Sequence, residues 1–218
     1  MVTAKLPLFL FLILMTTTQT TIAQENPSAW SLVKNDNGIK VYTRTLEHSD
    51  YKEFKALVSL DTDLKTLLKF ITDADNCTNW QYRCLQKINL SDNYLYKLSH
   101  LPWPLSDRYT VMQSQGHLNP QNNIYTLNLK NIPREQLPAH ILKQLPDEHD
   151  TVQMRNSDGY WQFQLDAPTI HITYQMHGDP AGSLPADFAN LGVINAAYVT
   201  LSNLKEQLPT SIPNQSEY

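Results

Sequence analysis

Seven histidines are the first candidates for chemistry in this 218-residue chain, because imidazole titrates near neutral pH. Their spacing does not gather them. His171 and His177 share the polar parity of one strand-like run, where six residues of strand hold them about 20 Å apart, too far to share a metal ion. His100 and His117 bracket another such run and approach each other only if a hairpin folds them together. No His-x-x-x-His, Gly-x-Ser-x-Gly or glycine-rich phosphate loop occurs. Asp73, Asp75, Asp147, Glu148 and Asp150 lie in polar connections and read as solvated charge. Cys77 and Cys84 are too widely spaced for a redox pair, and two cysteines alone make no zinc site. In an oxidising compartment they favour a disulfide, provided the fold brings their Cα atoms within about 7 Å. Two buried thiols are the alternative. These patterns call for no catalytic residue, metal or cofactor.

Arg108 is the remaining chemical candidate. It follows Leu101-Pro-Trp-Pro-Leu-Ser-Asp107, a stretch whose two prolines force an extended entry that cannot become helix. Ser106 and Asp107 can turn the chain, and a strand-like run then begins at Arg108. A guanidinium held at such a corner has two uses. It can pair with a phosphate, carboxylate or carbonyl of a ligand, or it can be satisfied by an acid or by backbone carbonyls of the corner itself, since a buried charge requires a partner.

The totals bound what these residues can belong to. One domain is the default at this length. The chain is 41% hydrophobic and 17% charged, sufficient for a core and unlike a disordered polymer. Lys5, the ten-residue apolar run Leu6 to Met15 and the Thr21-Ile22-Ala23 stretch read as a secretory signal cleaved before Gln24, too short in its apolar part to span a bilayer; an uncleaved anchor is the alternative. Removal of residues 1–23 takes one lysine and no acid, so the net charge goes from −4 to −5. A mildly acidic mature chain argues against nucleic acid as a partner.

The elements follow from periodicity. A short helical lead-in at Trp30 to Lys34 precedes the turn Asn35-Asp36-Asn37-Gly38. Alternating strands are expected at Ile39–Arg44 and Glu53–Leu60, and a helix capped near Asp63 carries Leu64, Leu67, Leu68 and Ile71 at helical spacing. Further strands run from Tyr82 to Leu90, Tyr94 to Leu101, Arg108 to Leu118 and Ile124 to Lys130. Asn131 to Asp150 is a long connection with a short amphipathic helix at Leu137, Ile141, Leu142 and Leu145, either a lid or a decorative insertion. Thr151 to Asn156 is a strand, Ser157-Asp158-Gly159 a hairpin turn, and Trp161–Leu165 and Ile170–His177 the strands that follow. Ser183 is a cap for one last helix of about 24 residues, with an apolar stripe at Leu184, Phe188, Leu191, Ile194, Tyr198, Leu201, Leu204 and Leu208. This order gives an α+β fold, a curved antiparallel sheet of about nine strands wrapped on a long C-terminal helix. The space between sheet and helix is either filled by its aromatics or lined by them.

The Pro-Trp-Pro-Leu-Ser-Asp-Arg108 corner, the run from Val152 to Trp161, and the passage Tyr174…Asp179-Pro-Ala-Gly-Ser-Leu-Pro185…Asn190 together resemble the START (StAR-related lipid transfer) family, in order and from about Trp30 to Leu208. The chain departs from that pattern at Tyr109, where an aspartate is common, and in the length of the 131–150 connection. The resemblance implies a helix-grip domain over residues 24–209, followed by a flexible tail at 210–218, that binds a lipid or other apolar small molecule without catalysis, as carrier or sensor. It further implies a monomer with transient membrane contact and, given the signal, a periplasmic location. It places Arg108 at the polar end of an internal cavity. Strand parity and the helix stripe add Tyr96, Met112, Trp161, Phe163, Tyr174, Phe188, Leu191 and Ile194 as ligand contacts, although Tyr109 and Val111 compete with Arg108 and Met112 for the inward parity. Two alternatives stay open. One is a cyclase- or aromatase-like enzyme of the same superfamily, with Tyr96 as proton donor near Arg108; the other is a structural protein with a filled interior.

Overall fold

The computed structural model describes residues 29–208, with 148 and 183 excepted. The expected signal at 1–23, the tail at 210–218, Glu148 and the cap Ser183 lie outside the described residues. Strands β1 (Ser31–Asp36), β2 (Ile39–Leu46) and β3 (Ser49–Asp61) form a meander. Asn37 and Gly38 make its first turn with φ of 50° and 77°, the left-handed pair that a two-residue hairpin demands. Helix α1 (Leu64–Thr72) follows, capped by Asp63, whose carboxylate accepts from the Thr66 amide at 2.8 Å. The short helix α2 (Cys77–Trp80) and strands β4 (Cys84–Asn89), β5 (Tyr94–Ser99), β6 (Asp107–Asn119) and β7 (Ile124–Asn131) come next. After a 3-10 turn and helix α3 (Ala139–Leu142), strands β8 (Thr151–Gln153), β9 (Arg155–Asp166) and β10 (Thr169–Asp179) lead to helix α4 (Ala186–Gln207).

The ten-stranded sheet runs β1-β2-β3-β10-β9-β7-β6-β5-β4, antiparallel along that path, with β8 added parallel to β6. Helix α4 crosses one face, against β1, β2, β3 and α2. Its second half closes the main core: Ala197, Leu201 and Leu204 are fully buried against Ile39, Val41, Ala56 and Val58. Trp80 wedges between Phe70 and Trp161, with ring centroids at 5.5 and 6.1 Å. Cys77 and Cys84 are bridged, their Cα atoms 5.9 Å apart, which ties α2 to the edge strand β4.

A second core lies on the opposite face. Tyr96, Tyr109, Val111 and Leu90 pack there with Leu137 and Ile141 of the long connection. The 131–150 segment is therefore the cover of the outer face of β4 to β6, not a lid over the inner one. Three expectations are corrected by the pairing. The lead-in after Trp30 is strand β1, because β2 offers it an open edge, and the Trp30 ring is covered by Arg44 and Lys55, each 4.5 Å from its centroid. Ser157-Asp158-Gly159 is not a turn: it lies inside β9, and β8, parallel to β6, leads into β9 in the same direction, with only a local kink at Asn156 (φ 47°). Gly159 is needed because a Cβ there would collide with the Gln175 carbonyl on β10. His100 and His117 stand at opposite ends of β6, about 35 Å apart at the rise of a strand, and do not meet.

Candidate functional site

The inner face of β5 and β6 carries Leu95, Lys97 and Ser99, and Arg108, Thr110, Met112 and Ser114, with the tyrosines on the other parity. Opposite them, the first half of α4 presents Ala189, Gly192 and Ala196. A Cβ built on Gly192 meets no atom within 4 Å. Small residues on the helix and a wide sheet leave space between them. It takes the form of two chambers of about 280 and 300 Å³ that share Lys97, Met112, Tyr174 and Met176 in their walls. The first chamber reaches outward past Lys87, Asn89 and Gln81 to the end of α1, and the second runs beneath α4 to Phe188 and Leu191. Tyr174 lies flat on Trp161, centroids 3.9 Å apart, and Phe54 meets its ring edge-on at 5.0 Å. Burial pushes the Tyr174 phenol above its ordinary pKa, so the wall is a neutral aromatic surface.

Six of the nine expected contacts line this space: Arg108, Met112, Trp161, Tyr174, Phe188 and Leu191. Phe188 and Leu191 are 44% and 62% exposed and stand at its mouth rather than in a packed stripe. Phe163 and Ile194 belong to the packed core instead. Phe163 is fully buried and stacks on Tyr125 and Trp161. Tyr96 is a correction: it sits across the sheet, stacked on Tyr109 at 5.6 Å, because the long connection buries aromatic residues on the outer face.

Arg108 is satisfied by its own corner. Its Nε donates to the Pro180 carbonyl at 2.6 Å, Nη1 to that of Ser106, and Nη2 to that of Ala181 at 3.4 Å. Burial lowers its pKa, an effect opposed by Tyr51 and Asp107. The side chain thus straps the chain just before α4 to the start of β6. Asn190 repeats the device on the helix, accepting from the Lys52 amide at 2.8 Å and donating to the Asp50 carbonyl at 3.2 Å.

Two lysines absent from the sequence-based site stand in the chambers. Lys87 is buried and donates to the Ile71 carbonyl at 2.8 Å. Lys97 sits where the chambers join, with no acceptor for its ammonium among the described residues. Desolvation draws both down to about 8; Asp73 opposes the shift at Lys87, and the Lys87 charge adds to it at Lys97. The histidines are dispersed: His100 pairs with Asp107 at 3.0 Å, His171 with Ser59 at 2.8 Å and His177 with Ser49 at 3.0 Å. No three His, Cys, Asp or Glu residues gather among the described residues.

No family model matches the sequence. A StAR-related lipid transfer protein from Xanthomonas axonopodis is 30% identical, over 82% of this chain and 98% of that one, with a TM-score of 0.70. This chain belongs to the START family. Human STARD10 (18% identity, TM-score 0.66, 81% of this chain and 71% of that one) and human StAR-related lipid transfer protein 5 (11%, 0.67, 85% and 88%) share its fold. An uncharacterized Pseudomonas aeruginosa protein is 25% identical over 181 residues, 81% of this chain and 85% of that one. Within this START sheet, the signal for Lys97 was available in Tyr94-Leu95-Tyr96-Lys97-Leu98. Apolar residues on both parities mean that both faces are covered, so a lysine among them faces an interior.

Proposed function

We propose that this START protein holds a lipid or other hydrophobic small molecule in the two joined chambers, one beneath α4 and one reaching toward α1, as a non-enzymatic carrier or sensor. The observation that carries the reading is the unfilled, aromatic-walled space opposite Gly192, in a fold whose second core is otherwise closely packed. A combined volume of about 600 Å³ suits one amphiphile rather than a large assembly. The Xanthomonas relative, a StAR-related lipid transfer protein, supports the same class of ligand. Phe188, Leu191 and the 92%-exposed Trp103 of the corner favour brief contact with a membrane surface during loading. The disulfide fits an oxidising compartment, in accord with a periplasmic location. No described helix is long and apolar enough to cross a membrane. The cyclase alternative loses its proton donor, since Tyr96 lies across the sheet from Arg108.

Native mass spectrometry of protein purified from its own cell envelope tests this. A stoichiometric adduct released by solvent is expected. A protein that stays empty and shows no change in melting temperature with any single- or double-chain lipid would sink the reading.

A further inference from the structure

The formal charge in the chamber walls is one-sided. Lys52, Arg83, Lys87, Lys97 and Arg108 contribute to their walls, and no Asp or Glu among the described residues does, in a chain whose net charge is −4. Two of these cations are paired by the sheet itself. Lys87 on β4 stands directly opposite Lys97 on β5, and both side chains lie on the inner face. Directly opposed residues of neighbouring strands have Cβ atoms about 5 Å apart, where like charges repel. Lys87 has the Ile71 carbonyl and the nearby Asp73 to compensate it. Lys97, partly buried in the walls of both chambers, has no acceptor for its ammonium among the described residues. A second observation points the same way. Gln81, in the wall of the first chamber, has its side-chain oxygen buried without a donor. An unpaired cation and an unpaired acceptor beside an apolar, aromatic space describe half of a polar interaction whose other half is missing.

We propose that the ligand is an anionic amphiphile whose phosphate or carboxylate group seats on Lys97 and Lys87, with its chain laid past Tyr174 and Met176 into the chamber beneath α4. The anion bridges the two ammonium groups and relieves their repulsion, and Gln81 accepts from a hydroxyl next to the charged group. Arg108, already engaged by three carbonyls, is the strap of the corner and not the principal headgroup anchor. This proposal rests on the carrier reading above, since it names the chemistry of the same ligand.

The test is titration calorimetry on lipid-stripped protein with four defined probes: dodecanoate, dodecanol, 1-oleoyl-lysophosphatidic acid and 1-oleoylglycerol. Each anion should bind at least about ten-fold tighter than its neutral counterpart, the range of one charge-assisted hydrogen bond. The better of the two anions identifies a carboxylate or a phosphate as the natural group. Lys97→Met should weaken the anions by about 10- to 100-fold and leave the neutral probes within about two-fold, and Lys97→Arg should restore most of the difference. Equal binding of anionic and neutral probes, or a Lys97→Met protein that keeps the preference, overturns the proposal while the carrier reading stands. Failure of all four probes, with no adduct in the native protein, overturns both.

Discussion

Lys97 gives the sharpest prediction because removing it should improve the empty protein. Its pKa is drawn from 10.5 to about 8 by burial and by Lys87. Each unit corresponds to about 1.4 kcal/mol, so carrying the ammonium at neutral pH costs the folded state on the order of 3 kcal/mol, reduced by whatever water the chambers admit. Lys97→Met keeps an unbranched side chain of similar length and removes the charge. The lipid-free variant should be more stable than the parent by about 1–3 kcal/mol at pH 7, a rise in melting temperature of about 3–10 °C for a chain of this size. The pH dependence fixes the cause. The native pKa lies below the unfolded one, so below pH 8 both states are protonated and the penalty is complete. Between about pH 8 and 10.5 the unfolded chain binds more protons at this site, and the parent gains stability as pH rises. The advantage of the variant should therefore shrink across that window. Urea unfolding of both lipid-free proteins at pH 7, 8.5 and 9.5 measures it. A variant that is less stable at pH 7, or whose advantage does not change with pH, would refute an unpaired buried ammonium.

Three further outcomes follow from the same geometry. Arg108→Ala should lose about 2–4 kcal/mol, since three carbonyls are left without their charged donor. Arg108→Lys should recover little of it, because an ammonium cannot reproduce the guanidinium fork, and hydrogen exchange should rise first around residues 180–184. Opening the Cys77–Cys84 bridge by a double serine substitution should cost about 2.5 kcal/mol on the chain-entropy account of so short a loop, read as a lower urea midpoint that reductant no longer shifts. Gly192→Ala, facing open space, should stabilise α4 by about 0.5–1 kcal/mol. Gly192→Phe should retain the fold but displace ligand, a combination visible as an unchanged melting temperature of the empty protein with loss of the lipid-induced rise.

The parts of this fold that were legible in the sequence are those where one face is wet and the other is dry. β10 alternates without a break, the second half of α4 carries its apolar residues at helical spacing, and Asn37-Gly38 makes the expected turn, although the segment entering it is strand rather than helix. The misreadings share one physical origin. Over β4 to β6 the long connection buries the outer face and the chambers occupy the inner one, so neither face is ordinary solvent. The usual inference, apolar inward and polar outward, then inverts: Tyr96 goes to the outer core and Lys97 to the interior. The same inversion separates Met112, which lines the chambers, from Val111, which does not. Gly159 misled for a related reason. Its missing side chain accommodates the close approach of β10, a requirement set by a strand that comes later in the chain and invisible to local turn chemistry.

That inversion also explains why the chamber lysines are hidden in the sequence while Arg108 stands out. Arg108 stands at a rigid corner whose prolines advertise it, yet its surroundings are complete: three carbonyls fix the guanidinium whether or not a ligand is present. Lys97 sits in an ordinary strand, yet no acceptor meets its ammonium among the described residues. A protein that evolved only to be stable would replace it, because a methionine there removes the desolvation penalty and the repulsion from Lys87 together. The presence of a destabilising charge at the junction of two apolar chambers is accounted for when the ligand supplies the counter-charge. The stabilisation of the empty protein and the loss of anion preference are then two consequences of one substitution, Lys97→Met, and they must appear together. If the variant gains stability and still prefers anions, the charge is incidental to binding. If it loses the preference without gaining stability, the ammonium has a protein partner in the empty state, and the anion competes for it instead of completing it.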